Sequence, residues 1–172
     1  MDDRPPLILL HAFPLDSQLF RRMPAPPGIR LHTPDLRGFG RTPLAPPGEP
    51  VPAPDMDVLA GDVIAGMDAA GIRRAIVGGV SIGGYVALAL LAAHPDRVAG
   101  LVLADTRSTA DSEEARERRL ATARDADAGI VAPGEQLVGP LLAPGADLTL
   151  RRELGAVAGE ADPAAVAWAQ RA

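Results

Sequence analysis

The chain has 172 residues, is 47% hydrophobic and 23% charged, and carries a net charge of −5. This suits one globular domain with a real core and excludes a disordered or membrane-spanning chain. The acidic balance and the lack of a basic stripe argue against a nucleic-acid partner, and the absence of cysteine removes disulfides, thiolate metal sites and thiol chemistry. The 17 basic residues are all arginine, which reads as coding bias in an Ala-, Gly- and Pro-rich chain. The opening MDDRPP has no secretory pattern, so a cytoplasmic protein is expected.

Leu7 to Leu10 is a short, wholly apolar run, the mark of a strand buried on both faces of a parallel sheet. Asp16 or Ser17 can cap a short helix around Gln18 to Met23, before the breaker run Pro24-Ala25-Pro26-Pro27-Gly28. Ile29 to Thr33 reads as a weaker strand, and Arg37 to Pro54 as a Gly- and Pro-rich loop. Asp55 is a plausible N-cap for a helix that shows Leu59, Val63, Met67 and Ala70 on one face and stops at Gly71.

Ala75 to Val80 (AIVGGV) is the next strand, and Gly83 to Ala93 (GGYVALALLAA) an apolar helix ending near His94-Pro95. Val98 to Ala104 (VAGLVLA) is a fourth apolar strand. Alternating strands and helices with short links imply parallel βαβ units in an open sheet. Beyond Asp105 a polar helix runs from Asp111 or Ser112 to about Ala128, stopped by Gly129. Less regular segments pass through Pro133, Pro140 and Pro144 before a helix from Asp147 to Ala158. Asp162-Pro163 then opens a last helix, PAAVAWAQRA.

The chemistry is concentrated at Gly79-Val80-Ser81-Ile82-Gly83, a G-x-S-x-G between a strand and a helix. In that setting it reads as a nucleophile elbow, with Ser81 exposed at a sharp turn and the Ile82 N–H aimed at a developing oxyanion. Glycine is needed at 79 and 83 because strand and helix backbones approach too closely for a Cβ. A dinucleotide site does not fit, since Gly78-Gly79 and Gly83-Gly84 do not make G-x-G-x-x-G, and without lysine there is no Walker A motif.

With LLHAFPLD (Leu9 to Asp16), TPDLRGFGRT (Thr33 to Thr42) and LVLADT (Leu101 to Thr106), the chain resembles the α/β-hydrolase superfamily, in particular its bacterial esterase, haloperoxidase-like and enol-lactonase-like members. The resemblance spans residues 7 to 106 and implies the N-terminal part of an α/β-hydrolase core over 1 to 106, with an incomplete helical cap region over 107 to 172 and the C-terminal core strands absent. It implies Ser81 as catalytic nucleophile and the N–H groups of Phe13 and Ile82 as the oxyanion hole, with Ala12 replacing the usual glycine. Asp35, Arg37, Gly38 and Gly40 would be scaffold. The implied substrate is a small carboxylic ester or lactone, with no cofactor and no metal.

The expected order is Ser, then an acid, then a His after the last strand. The histidines here are His11, His32 and His94, none of them C-terminal to position 94. His11 would hold loop geometry, and His94 suits the C-terminal end of a helix. Asp105, at the end of the fourth strand, reads as a structural strand-end residue more than as the acid. The reading is therefore of a truncated chain, nearly inactive alone. Its fourth strand would form an unpaired, uncharged edge that favours self-association. The alternative is a non-catalytic remnant, or a half-domain that binds a partner or ligand or oligomerises.

Overall fold

The computed structural model describes residues 4–25, 27–132 and 134–172. Pro26, Pro133 and the first three residues of MDDRPP lie outside the described residues. Strands β1 (Leu7–Leu10), β2 (Leu31–His32), β3 (Ala75–Val80) and β4 (Val98–Ala104) pair in parallel in the order β2-β1-β3-β4. The β1 run is buried along its whole length, as its unbroken apolar character requires of a strand covered on both faces. Leu10 pairs with Gly79, so the C-terminal ends of β1 and β3 lie side by side. The loops that leave those two strands are thereby neighbours.

Helix α1 (Met56–Ala69) is capped by the Asp55 side chain, which accepts from the Asp57 N–H. Its buried face is Leu59, Ala60, Val63 and Met67, while Ala70 falls at the exposed C-cap. Helix α2 (Ile82–Ala93) follows β3 and buries Val86, Ala87 and Leu90. These side chains meet Ile8, Leu10 and Val77 of the sheet in one core.

The second half is helical. Helix α3 (Glu113–Asp127) starts at Ser112, whose hydroxyl accepts from the Ala115 N–H. Helices α4 (Gly134–Val138), α5 (Leu148–Gly159) and α6 (Pro163–Arg171) follow. Helix α3 packs on α6 through Ala123, Ala126, Val166 and Ala167, and α4 packs on α5. Trp168 of α6 is buried in the main core, and its indole N–H donates to the Pro52 carbonyl at 2.7 Å.

Trp168→Ala removes that anchor and leaves a large cavity. It is expected to cost about 3–5 kcal/mol, read as a lowered urea midpoint, with α6 becoming protease-sensitive.

Several sequence expectations are corrected. The helix expected around Gln18 to Met23 is a single 3-10 turn, Ser17–Phe20, with Asp16 as its cap. Of the expected strand Ile29 to Thr33, only Leu31 and His32 pair, because β2 is a sheet edge with one neighbour. The irregular stretch after Gly129 contains α4, which forms because Gly134 lets it sit against α5. A Cβ there would lie 1.9 Å from the Gly155 carbonyl oxygen. The edge expected of β4 is observed, by contrast, with Val102 and Leu103 47% and 46% exposed.

Candidate functional site

Ser81 links β3 to α2 with φ 53° and ψ −116°. A positive φ is uncommon for a residue with a Cβ and persists only where the surroundings impose it. Among the described residues the other non-glycine case is Asp105. The imposition is visible in the glycines. A Cβ on Gly79 would stand 2.0 Å from the Gly83 carbonyl carbon, and one on Gly83 would stand 2.2 Å from the Leu10 carbonyl oxygen. The strand, the turn and the helix therefore touch backbone to backbone, which lifts Ser81 out of the strand line and leaves it partly exposed. As the first N–H groups of α2, those of Ile82 and Gly83 have no carbonyl to meet within the helix.

Phe13 lies three residues beyond the end of β1. Its peptide bond to Pro14 is cis, and its ring meets Phe39 edge-on at 6.0 Å. Its side chain also packs between the main core and the α3–α6 pair. A cleft of about 400 Å³ is lined by Pro14, Leu15, Phe39, Thr42, Val157 and Ala161, and neither Ser81 nor Ile82 lines it.

His11 is 0% exposed. Its Nε2 accepts from the Leu36 N–H at 2.9 Å, and Nδ1 lies 3.1 Å from the Ala12 carbonyl. These partners assign a neutral ring with the proton on Nδ1, donating to the carbonyl. Burial pushes this imidazole below its usual value, with the Ala12 carbonyl and the charges of Asp35 and Asp16 opposing in part. Asp35 accepts from the N–H groups of Ser17 at 2.8 Å and Arg41 at 3.0 Å. Burial pushes its carboxyl up, but these bonds with Ser17 and Arg41 outweigh that and hold it below the ordinary value. Arg37 grips Asp62 in bidentate fashion, with Nε and Nη2 at 2.7 and 2.5 Å, and donates to the Leu44 carbonyl from Nη1. Asp35 thus ties its loop to Ser17 and Arg41, and Arg37 ties the same loop to helix α1 and to Leu44.

The histidines do not reach Ser81. The lone pair of His11 is used by Leu36. His94 caps the far end of α2, whose 12 residues span about 18 Å. His32 pairs with Ile8, which pairs with Val77. That places it two strands, or about 10 Å, across the sheet and about 13 Å down the strand from Ser81. It lines a separate groove beside β2 with Thr33, Asp62 and Met67. Among the described residues no group of three or more His, Asp or Glu is placed to hold a metal ion. No helix of the described residues is long and apolar enough to cross a membrane.

The end of β4 closes the other side of the turn. The Ser81 N–H donates to the Ala104 carbonyl at 3.1 Å, and the Thr106 hydroxyl donates to the Ser81 carbonyl at 2.9 Å. Asp105, between them, is exposed with φ 45°. Further on, Asp111 is bound by Arg119 at 2.5 Å and by Arg107, and both, with Arg119 first, lower its carboxyl. Thr106 carries no role in the sequence reading. The signal that could have found it is the second glycine of Gly83-Gly84: a Cβ on Gly84 would lie 2.5 Å from the Thr106 side chain.

A parallel sheet with a left-handed serine between strand and helix defines an α/β-hydrolase architecture. The alpha/beta hydrolase fold family model matches residues 5–142, and the chain belongs to that family. It is 40% identical over 91 residues to the lipase LipV of Mycobacterium tuberculosis, covering 53% of this chain and 33% of that one. It is 35% identical over 106 residues to a pimeloyl-[acyl-carrier protein] methyl ester esterase of Aromatoleum aromaticum, covering 60% and 38%. Among solved structures, a thermophilic esterase from Thermogutta terrifontis superposes with a TM-score of 0.81 at 32% identity, covering 98% of this chain and 64% of that one. The matches thus span about a third of these curated relatives and less than two thirds of that structure.

Proposed function

We propose that the chain carries the nucleophile and oxyanion half of a serine hydrolase acting on small carboxylic esters or lactones. The observation that supports this most is the left-handed Ser81, imposed by backbone contact at Gly79 and Gly83. In this reading the turn is a nucleophile elbow. Ser81 Oγ adds to the acyl carbon, its proton passes to a base, and the carbonyl oxygen becomes an oxyanion held by the Phe13 and Ile82 N–H groups. The C–O bond to the alcohol then breaks, leaving an acyl-enzyme that water hydrolyses. Helices α3–α6 serve as the cap, over a core that ends near residue 106. The esterase and lipase names of the relatives support ester chemistry.

The base is supplied from outside residues 1–172, which the placement of His11, His32 and His94 supports. General acid–base catalysis contributes about 10²–10⁴-fold, so this chain alone should turn over p-nitrophenyl acetate at close to the background rate. Prolonged exposure to an alkyl fluorophosphonate should add one phosphonyl group, mapped by mass spectrometry to Ser81 and lost in Ser81→Ala. A label on another residue would overturn the assignment of the nucleophile. Full-rate turnover that Ser81→Ala abolishes would overturn the missing base.

A second reading is favoured by one observation, the uncharged, half-exposed β4 edge. A half-domain that self-associates through this edge would elute as a dimer or larger species on size-exclusion chromatography, and a stable monomer would count against it.

A further inference from the structure

We infer that Thr106 is a positioning residue for the reaction at Ser81, setting the direction of the Ile82 N–H without touching substrate. The inference rests on the reading of Ser81 and Ile82 given above. A peptide unit is planar, so the Ser81 carbonyl and the Ile82 N–H point in opposite directions within one rigid plane. Whatever fixes the carbonyl aims the N–H. The Ser81 carbonyl accepts from three groups: the Gly84 N–H at 2.9 Å, the Tyr85 N–H at 3.3 Å and the Thr106 hydroxyl at 2.9 Å. The first two are ordinary helix contacts within α2. The third comes from outside the helix, 25 residues along the chain.

The same segment also takes the other end of the residue, since the Ala104 carbonyl accepts from the Ser81 N–H. Residues 104–106 therefore clamp Ser81 on both sides, which is what a backbone held at φ 53° requires. The left-handed Asp105 turns the chain at the end of β4, between the two contacts. Gly84 leaves the space that the Thr106 hydroxyl and methyl fill. Hydrogen bonding at the carbonyl also polarises the shared amide, which strengthens its N–H as a donor.

The test compares three forms of the full chain: native, Thr106→Val, which is nearly isosteric but lacks the hydroxyl, and Thr106→Ser, which keeps it. Amide exchange at Ile82, Gly84 and Tyr85 should be faster in Thr106→Val and restored in Thr106→Ser. The fluorophosphonate labelling rate at Ser81 should fall about tenfold or more in Thr106→Val, since a lost oxyanion donor costs about 10²–10³-fold and a misdirected one less, and should recover in Thr106→Ser. If Thr106→Val does not fold, Thr106→Ala removes the same hydroxyl without the added methyl. Unchanged labelling in the variant lacking the hydroxyl, or failure of Thr106→Ser to restore it, overturns the inference. A native chain labelled on a residue other than Ser81 overturns the reading of Ser81 itself, and the role of Thr106 with it; the amide exchange of Ile82 tests the clamp independently of the label.

Discussion

Gly83→Ala is expected to leave no folded protein. The new Cβ would lie 2.2 Å from the Leu10 carbonyl oxygen, 2.6 Å from its carbon and 2.9 Å from the His11 oxygen. All three are backbone atoms at the end of β1, so no side chain can rotate away. Relief requires α2 to move off the sheet, which would open the core around Val86 and Leu90. Overpacking a core with a single methyl usually costs about 1–3 kcal/mol. Here the clash is with a rigid strand, and the cost should approach the whole stability of a domain, about 5–15 kcal/mol.

Gly79→Ala, with its Cβ 2.0 Å from Gly83, should behave in the same way. Gly66→Ala is the control: it lies on the exposed side of α1 with nothing within 4 Å of the added Cβ. It should raise stability by about 0.5–1 kcal/mol through helix propensity. Soluble yield and urea midpoints of the three variants separate the cases. A Gly83→Ala protein with a near-native midpoint would refute the close approach on which the site depends.

Stability should fall on mild acidification, with His11 responsible for the first part of the loss. The buried imidazole resists protonation in the folded state, while the unfolded chain takes up a proton near pH 6.5. The unfolded state therefore binds more protons below that pH, and the free energy of unfolding falls by up to about 1.4 kcal/mol per pH unit. The loss continues until the folded ring itself protonates, at which point Nε2 can no longer accept from Leu36. Asp35 acts in the same direction at lower pH. Its folded value is depressed, so its contribution is present above the unfolded value near 3.8 and is lost as pH falls through the folded value.

His11→Leu should flatten the slope below pH 6.5. It should also lower stability at neutral pH by about 1–3 kcal/mol, because the Leu36 N–H is left buried without an acceptor. Urea unfolding at several pH values measures both effects. An unchanged slope in His11→Leu would exclude this histidine as the source.

Much of this protein is local in origin and therefore legible in its residues. The apolar runs of β1 and β3 announce strands, because a strand flanked by others in a parallel sheet has no polar face to show. Asp55, Asp147 and Asp162 announce helix starts because each side chain bonds an N–H two residues on. The Ser81 turn is legible for the same reason, since the glycines that permit it lie within two residues of the serine.

What tertiary structure alone decided involves partners distant in sequence. Trp168 meets Pro52 across 116 positions, His11 meets Leu36 across 25, and Thr106 meets Ser81 across 25. Edge status belongs to the same class. The composition of β4 is that of an interior strand, yet its burial depends on which elements lie beside it, and no local pattern encodes that. The residues thus determined the elements and the turn that presents Ser81. The packing of β1, α2 and the end of β4 around that turn decided how the serine is held, because backbone contacts between separate elements exist only once the chain has folded.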